Sequence, residues 1–133
     1  HDALKTALPY MVDEQGQVNQ PVLRDKLAGV LMDAQAFALT HRRVTEKALA
    51  RKDVSGPSSI MKLVQTEQEV AKYELLELAM GLRGLGWEGD DFSADELDVC
   101  RAWLRSKSYT IAGGSSEVQL NIIAKRVLEL PER

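Results

Sequence analysis

Apolar side chains along this chain return at intervals of three and four residues and almost nowhere at strict intervals of two. A period near 3.6 gathers them on one face of a helix, whereas a half-buried strand needs alternation. The chain is therefore expected to be all-α. From Pro21, suited to a first helical position because it needs no amide donor there, the pattern runs through Leu23, Leu27, Val30, Leu31, Ala34, Ala38 and Val44, one long helix reaching toward Lys52. Before it, Asp13 to Gln20 is polar and reads as a loop, and the apolar piece Ala3 to Tyr10 reads as the tail of a further helix.

Ser55-Gly56-Pro57 breaks the pattern, because Pro57 lacks a donor and disfavours helical geometry at the residue before it. A second long helix is expected from near Ser58, with Ile60, Leu63, Val64, Leu75 and Leu78 on its stripe, closing in the glycine-rich stretch Gly81 to Gly86. Ser93 and Glu96 form a capping box that announces a third helix, carrying Leu97, Cys100, Trp103 and Leu104 and ending near Thr110. After Gly113-Gly114, Ser116 with Gln119 makes a second capping box before a last stripe of Val118, Ile122, Ile123 and Val127, and Pro131 ends it. Two long and two shorter helices with brief loops predict an antiparallel four-helix bundle in one domain over residues 1–133.

Composition narrows the function classes. At 133 residues the chain buries about two-thirds of its unfolded surface, enough for a core without disulfides or metals. Its 17 Lys and Arg are scattered among 20 Asp and Glu, for a net charge of −3, which gives a polyanion no footprint and argues against nucleic acid. The one cysteine forms no intrachain disulfide, and a cytoplasmic setting is expected. With His41 alone in the interior, no His or Cys cluster has metal-ligand spacing. No apolar run approaches the roughly 18 residues of a membrane span. The absence of an initiator Met leads us to expect a fragment or a processed start.

The stretch richest in chemistry is Thr110 to Glu117. Two glycines and two hydroxyl residues at a helix start leave backbone N–H groups pointing outward with no Cβ in the way, which suits an anionic or carbonyl ligand; a tight interhelical turn alone also accounts for the glycines. Ser59-Ile60-Met61-Lys62 matches the S-x-x-K of penicillin-binding enzymes, but their S-D-N and K-T-G partners are absent. Lys62 is expected at the rim of a helix packing site, with Ser58 or Ser59 as a cap. The glycines at 81, 84 and 86 close a helix and so make no dinucleotide fingerprint. Glu67, Glu69, Glu74 and Glu77 read as a solvated helix face, and Tyr73, Trp87, Trp103 and Tyr109 as core or interface aromatics.

The run Tyr109-Thr110-Ile111-Ala112-Gly113-Gly114-Ser115-Ser116-Glu117-Val118-Gln119-Leu120-Asn121-Ile122-Ile123-Ala124-Lys125-Arg126-Val127-Leu128 resembles the closing signature of the acyl-CoA dehydrogenases, T-I-x-G-G-T-S-E-I-Q-x-N-I-I-A-x-R-x-L-G-L-P. Ser58-Ser59-Ile60-Met61-Lys62-Leu63 and Glu67 resemble that domain's S-x-x-K-L-x-x-S-E stretch. The resemblance implies the C-terminal helical domain of an FAD-dependent enzyme that desaturates an acyl-CoA thioester and passes electrons to electron-transfer flavoprotein. It implies homo- or hetero-oligomers formed through this domain, and a fragment that is inactive alone. Carried over residue by residue, it makes Gly114, Ser115, Ser116 and Glu117 flavin contacts, with Gly84 another from the glycine-rich stretch. That stretch departs from the family's Q-x-x-G-G at Met80. The resemblance also makes the backbone N–H of Gly113 a donor to the substrate thioester. Gly113 itself stands where members with their base in this domain carry glutamate, so no catalytic residue is assigned here. The rival expectation is a non-catalytic helical interaction module, or a non-catalytic subunit of a mixed oligomer.

Overall fold

A computed structural model describes residues 3–131 of the chain as an all-α fold of five helices, with no strand among the described residues. These are α1 (Ala3–Met11), α2 (Pro21–Leu49), α3 (Ser55–Met80), α4 (Ala94–Ser106) and α5 (Ser116–Ile122). A 3₁₀ turn over Gly81–Leu85 follows α3, and one π turn over Ile123–Val127 continues α5.

The central helix is α3, against which each of the other four packs. Its start differs from the sequence expectation. Instead of beginning after the proline, α3 begins at Ser55 and carries Pro57 within its first turn, where amide donors have no intrahelical partner and a missing one costs nothing. No Ser58 or Ser59 cap forms: Val54 is the N-cap, and the Ser58 hydroxyl donates to the Val54 carbonyl.

The core is a cluster of Ala7 and Met11 from α1, Leu23 from α2, Leu75, Leu76 and Met80 from α3, and Val99 from α4. Each fully buried leucine of this kind contributes about 2 kcal/mol. Beside it on α4 lies Cys100, also buried, whose thiol pKa is raised by burial first and by the neighbouring Glu77 charge second. A polar knot closes the same end. Glu96 accepts from the Ser93 amide and Ser93 from the Glu96 amide, the capping box expected from sequence. The Glu96 carboxylate also receives Arg83 from the 3₁₀ turn at 2.7 and 2.9 Å and the Tyr10 hydroxyl from α1. One carboxylate thereby ties three elements together, and Arg83 beside it holds it well below the usual carboxylate range.

By contrast α2, 29 residues and about 43 Å long, buries only Leu23. Its stripe packs partly on α3, fixed at mid-length by Gln68 Nε2 donating to the Asp33 carbonyl at 2.9 Å, but Leu31, Ala34 and Ala38 stay exposed.

Candidate functional site

The chain leaves α4 through consecutive tight turns rather than a continued helix. Amides of Ser108, Tyr109, Ile111 and Ala112 each reach back three or four residues, and the Ser108 and Thr110 hydroxyls donate to the carbonyls of Arg105 and Lys107. Gly113 and Gly114 then reverse the chain with φ of +69° and +102°, values that side chains with a Cβ rarely adopt. The amide of Ser116 donates to the Thr110 carbonyl at 3.1 Å, closing the loop at the start of α5.

The cap of α5 is one residue earlier than the sequence pattern indicates. Ser115, with extended backbone, accepts from the Val118 amide at 3.4 Å and donates its own proton to Glu117 Oε2 at 2.6 Å, which lowers the Glu117 pKa. Gln119, assigned above to a capping box with Ser116, turns its buried side chain back instead, and its Nε2 donates to the Gly113 carbonyl at 3.4 Å. The same amide group fills the space beside Gly114: a Cβ there would meet Gln119 Nε2 at 2.7 Å. Gly113 is different, for a Cβ on it would meet nothing within 4 Å. Backbone conformation sets glycine at both positions, with close approach added at 114.

From below, Lys62 of α3 reaches into the loop. Its ammonium donates to the Gly114 carbonyl at 2.5 Å and to the Tyr109 carbonyl at 3.3 Å. The rim position expected for Lys62 thus has a specific content, since it caps carbonyls of the glycine turn. Lys62, Gln65, Thr66, Glu69, Tyr109 and Ala112 line an open groove of about 440 Å³ beside that turn.

Among the described residues, the amides of Gly113, Gly114 and Ser115 donate to no protein acceptor. The fold therefore brings Gly113, Gly114, Ser115, Ser116 and Glu117 into one exposed to half-buried apex, with three free backbone donors and two hydroxyl side chains. Gly84 is not part of it. It lies beyond the far end of α3, and the rise from Lys62 to Met80 alone is about 27 Å. Gly84 is buried, and a Cβ on it would collide with Glu77 Oε2. Neither oxygen of that Glu77 carboxylate has a hydrogen-bond partner, and burial pushes its pKa up to about 7. The sequence pattern instead assigns Glu77 to a solvated face. The helical period alone did not show that Gly84 would fold back over it.

His41 stands apart on the exposed face of α2 with its ring 6.2 Å from Phe37. Among the described residues no group of three or more His, Cys, Asp or Glu side chains is placed to hold a metal ion, and no helix is long and apolar enough to cross a membrane.

Comparison with known proteins gives one consistent answer. Residues 2–128 match the family described as acyl-CoA dehydrogenase, C-terminal domain. The chain is 37% identical over 129 residues to the acyl-CoA dehydrogenase IpdE1 of Mycolicibacterium smegmatis, covering 93% of this chain and 29% of that protein. It is 33% identical over 110 residues to the acyl-CoA dehydrogenase FadE34 of Mycobacterium tuberculosis, covering 81% of this chain and 14% of that one. The chain thus spans less than a third of the length of these relatives. No solved structure matches it.

Proposed function

The chain belongs to the acyl-CoA dehydrogenase family, as the C-terminal domain of such a protein, and from that premise we propose that it forms part of the flavin and thioester site of an FAD-dependent enzyme desaturating an acyl-CoA. One observation carries the reading: the turn at Gly113-Gly114 holds two backbone donors that no protein acceptor takes up, beside the hydroxyls of Ser115 and Ser116. Such a donor set fits the carbonyl oxygens and ring nitrogens at the edge of a flavin. When bound, FAD supplies the acceptor for the hydride leaving the acyl chain.

In this reading Gly114, Ser115, Ser116 and Glu117 hold the flavin, and Gly84, at the other end of α3, is a separate contact. The N–H of Gly113 donates to the thioester carbonyl. Its dipole is fixed in place before reaction, so it stabilises negative charge that grows on that oxygen as the α-proton departs. The proton itself goes elsewhere: position 113 offers no carboxylate, so the base comes from another part of the full-length parent or from a second subunit. Electron-transfer flavoprotein is the oxidant, and the parent is a cytoplasmic oligomer held together through this domain.

Purification of the full-length parent tests the proposal. The expected preparation is yellow, with a flavin absorption band that acyl-CoA bleaches, while the 133-residue chain with added FAD shows no turnover. A colourless parent that FAD does not reconstitute would overturn the reading in favour of a helical interaction module. Glycine at position 113 is the observation that favours that second reading.

A further inference from the structure

Two side chains to which the resemblance assigns no role hold the glycine turn, and they do so in the same sense. Peptide groups here are trans, so C=O and N–H of one peptide point in opposite directions. Gln119 draws the Gly113 carbonyl inward, which turns the amide of Gly114 outward. Lys62 draws the Gly114 carbonyl inward, which turns the amide of Ser115 outward. We propose that Lys62 and Gln119 are positioning residues, which set two successive peptides carbonyl-inward and so present the N–H groups of Gly114 and Ser115 as an adjacent donor pair for an oxygen of the bound flavin.

The two holds are unequal. Lys62 makes a charge-assisted bond at 2.5 Å and a second at 3.3 Å to the Tyr109 carbonyl, so it spans the loop from its entry to its exit. Gln119 makes one neutral bond at 3.4 Å. Ionised donors give roughly twice the strength of neutral ones, so Lys62 is the dominant restraint. It is also the restraint the turn most needs. Consecutive glycines are the most freely rotating segment a chain can contain, and with nothing on their carbonyls the two peptides could flip and bury the donors. The motif S-x-x-K has here a use unrelated to a serine nucleophile: half-buried on α3, Lys62 stands directly under the turn.

The inference rests on the flavin reading above, and the test separates the two. In the full-length parent, Lys62→Met, Lys62→Arg and Gln119→Met are compared by equilibrium FAD binding and by amide hydrogen exchange of the peptide covering residues 109–119. Lys62→Met is expected to weaken FAD binding by about tenfold, the loss of one charge-assisted bond's worth of positioning, and to speed exchange across the turn. Lys62→Arg restores both to within about threefold, and Gln119→Met has the smaller effect of the two losses. Exchange and FAD affinity unchanged in Lys62→Met, with a native melting profile, overturn the proposal. Should Lys62→Met fail to fold, Gln119→Met carries the test, and wild-type exchange and affinity in it overturn the paired mechanism. If even the wild-type parent takes up no FAD, the flavin reading fails and with it the donor pair's assignment, while the exchange arm still shows whether Lys62 holds the turn.

Discussion

Glu77 is the residue whose surroundings conflict most with its chemistry. Its carboxylate lies under Gly84 with both oxygens lacking partners, and its pKa stands at about 7 against 4.5 for the free side chain. A carboxyl raised in the folded state contributes stability that is complete below about pH 4.5 and is lost as the pH rises through about 7. Allowing for the solvent screening of a side chain that is only partly buried, the loss is about 1 kcal/mol. Urea midpoints at pH 5 and pH 8 should differ accordingly, and Glu77→Gln should abolish the difference. Glu96 behaves in the opposite way. Its carboxyl is held down by Arg83, Tyr10 and the Ser93 amide, so its contribution is present at neutral pH and disappears only as the pH falls below the ordinary carboxylate range. At the glycine turn the two positions also separate. Gly113→Ala faces open space and strains only the backbone, costing about 1 kcal/mol, whereas Gly114→Ala adds a collision with Gln119 and costs more; thermal melts of the two variants give the ranking.

At the level of elements, the helix α4 was legible from end signals because its capping box is local: the Ser93 hydroxyl and Glu96 carboxylate are three residues apart and need nothing else. Ser93→Ala should cost about 1 kcal/mol in denaturant unfolding. The 3₁₀ turn is tied to α3 by contact rather than by pattern. Gly84→Ala should destabilise by about 2 kcal/mol, and pairing it with Glu77→Ala, which vacates the colliding carboxylate, should recover most of that loss in a double-mutant cycle. The same distinction explains what the sequence concealed. Helix identity and the glycine turn follow from period and from Gly113-Gly114, so the Gly113 to Glu117 apex could be located in advance. Ser115 displaced Ser116 as cap, because either hydroxyl can fill the role and the choice depends on where Gly114 directs the chain. The contact of Lys62 with Gly114 links positions 52 residues apart, and no local spacing rule encodes a contact at that range. Pro57 signals a boundary in the sequence, yet it also suits the first turn of a helix, which is where it lies.

Taken whole, the fold is a core concentrated at one end, from which a long helix extends with little covering it. Along α2, Met32 and Leu39 share one helix face and are 71 and 58% exposed, and exposed apolar surface of this kind favours self-association. Sedimentation of the chain at rising concentration should show self-association, and Met32→Glu with Leu39→Glu should return it to monomer without moving the melting temperature by more than a few degrees, since neither side chain is in the core. The buried Cys100 has a use for the experimenter. Being the sole cysteine and buried on α4, it meets a thiol reagent only when the structure around that helix opens, so the rate of its labelling is a clock for that opening and needs no engineered probe.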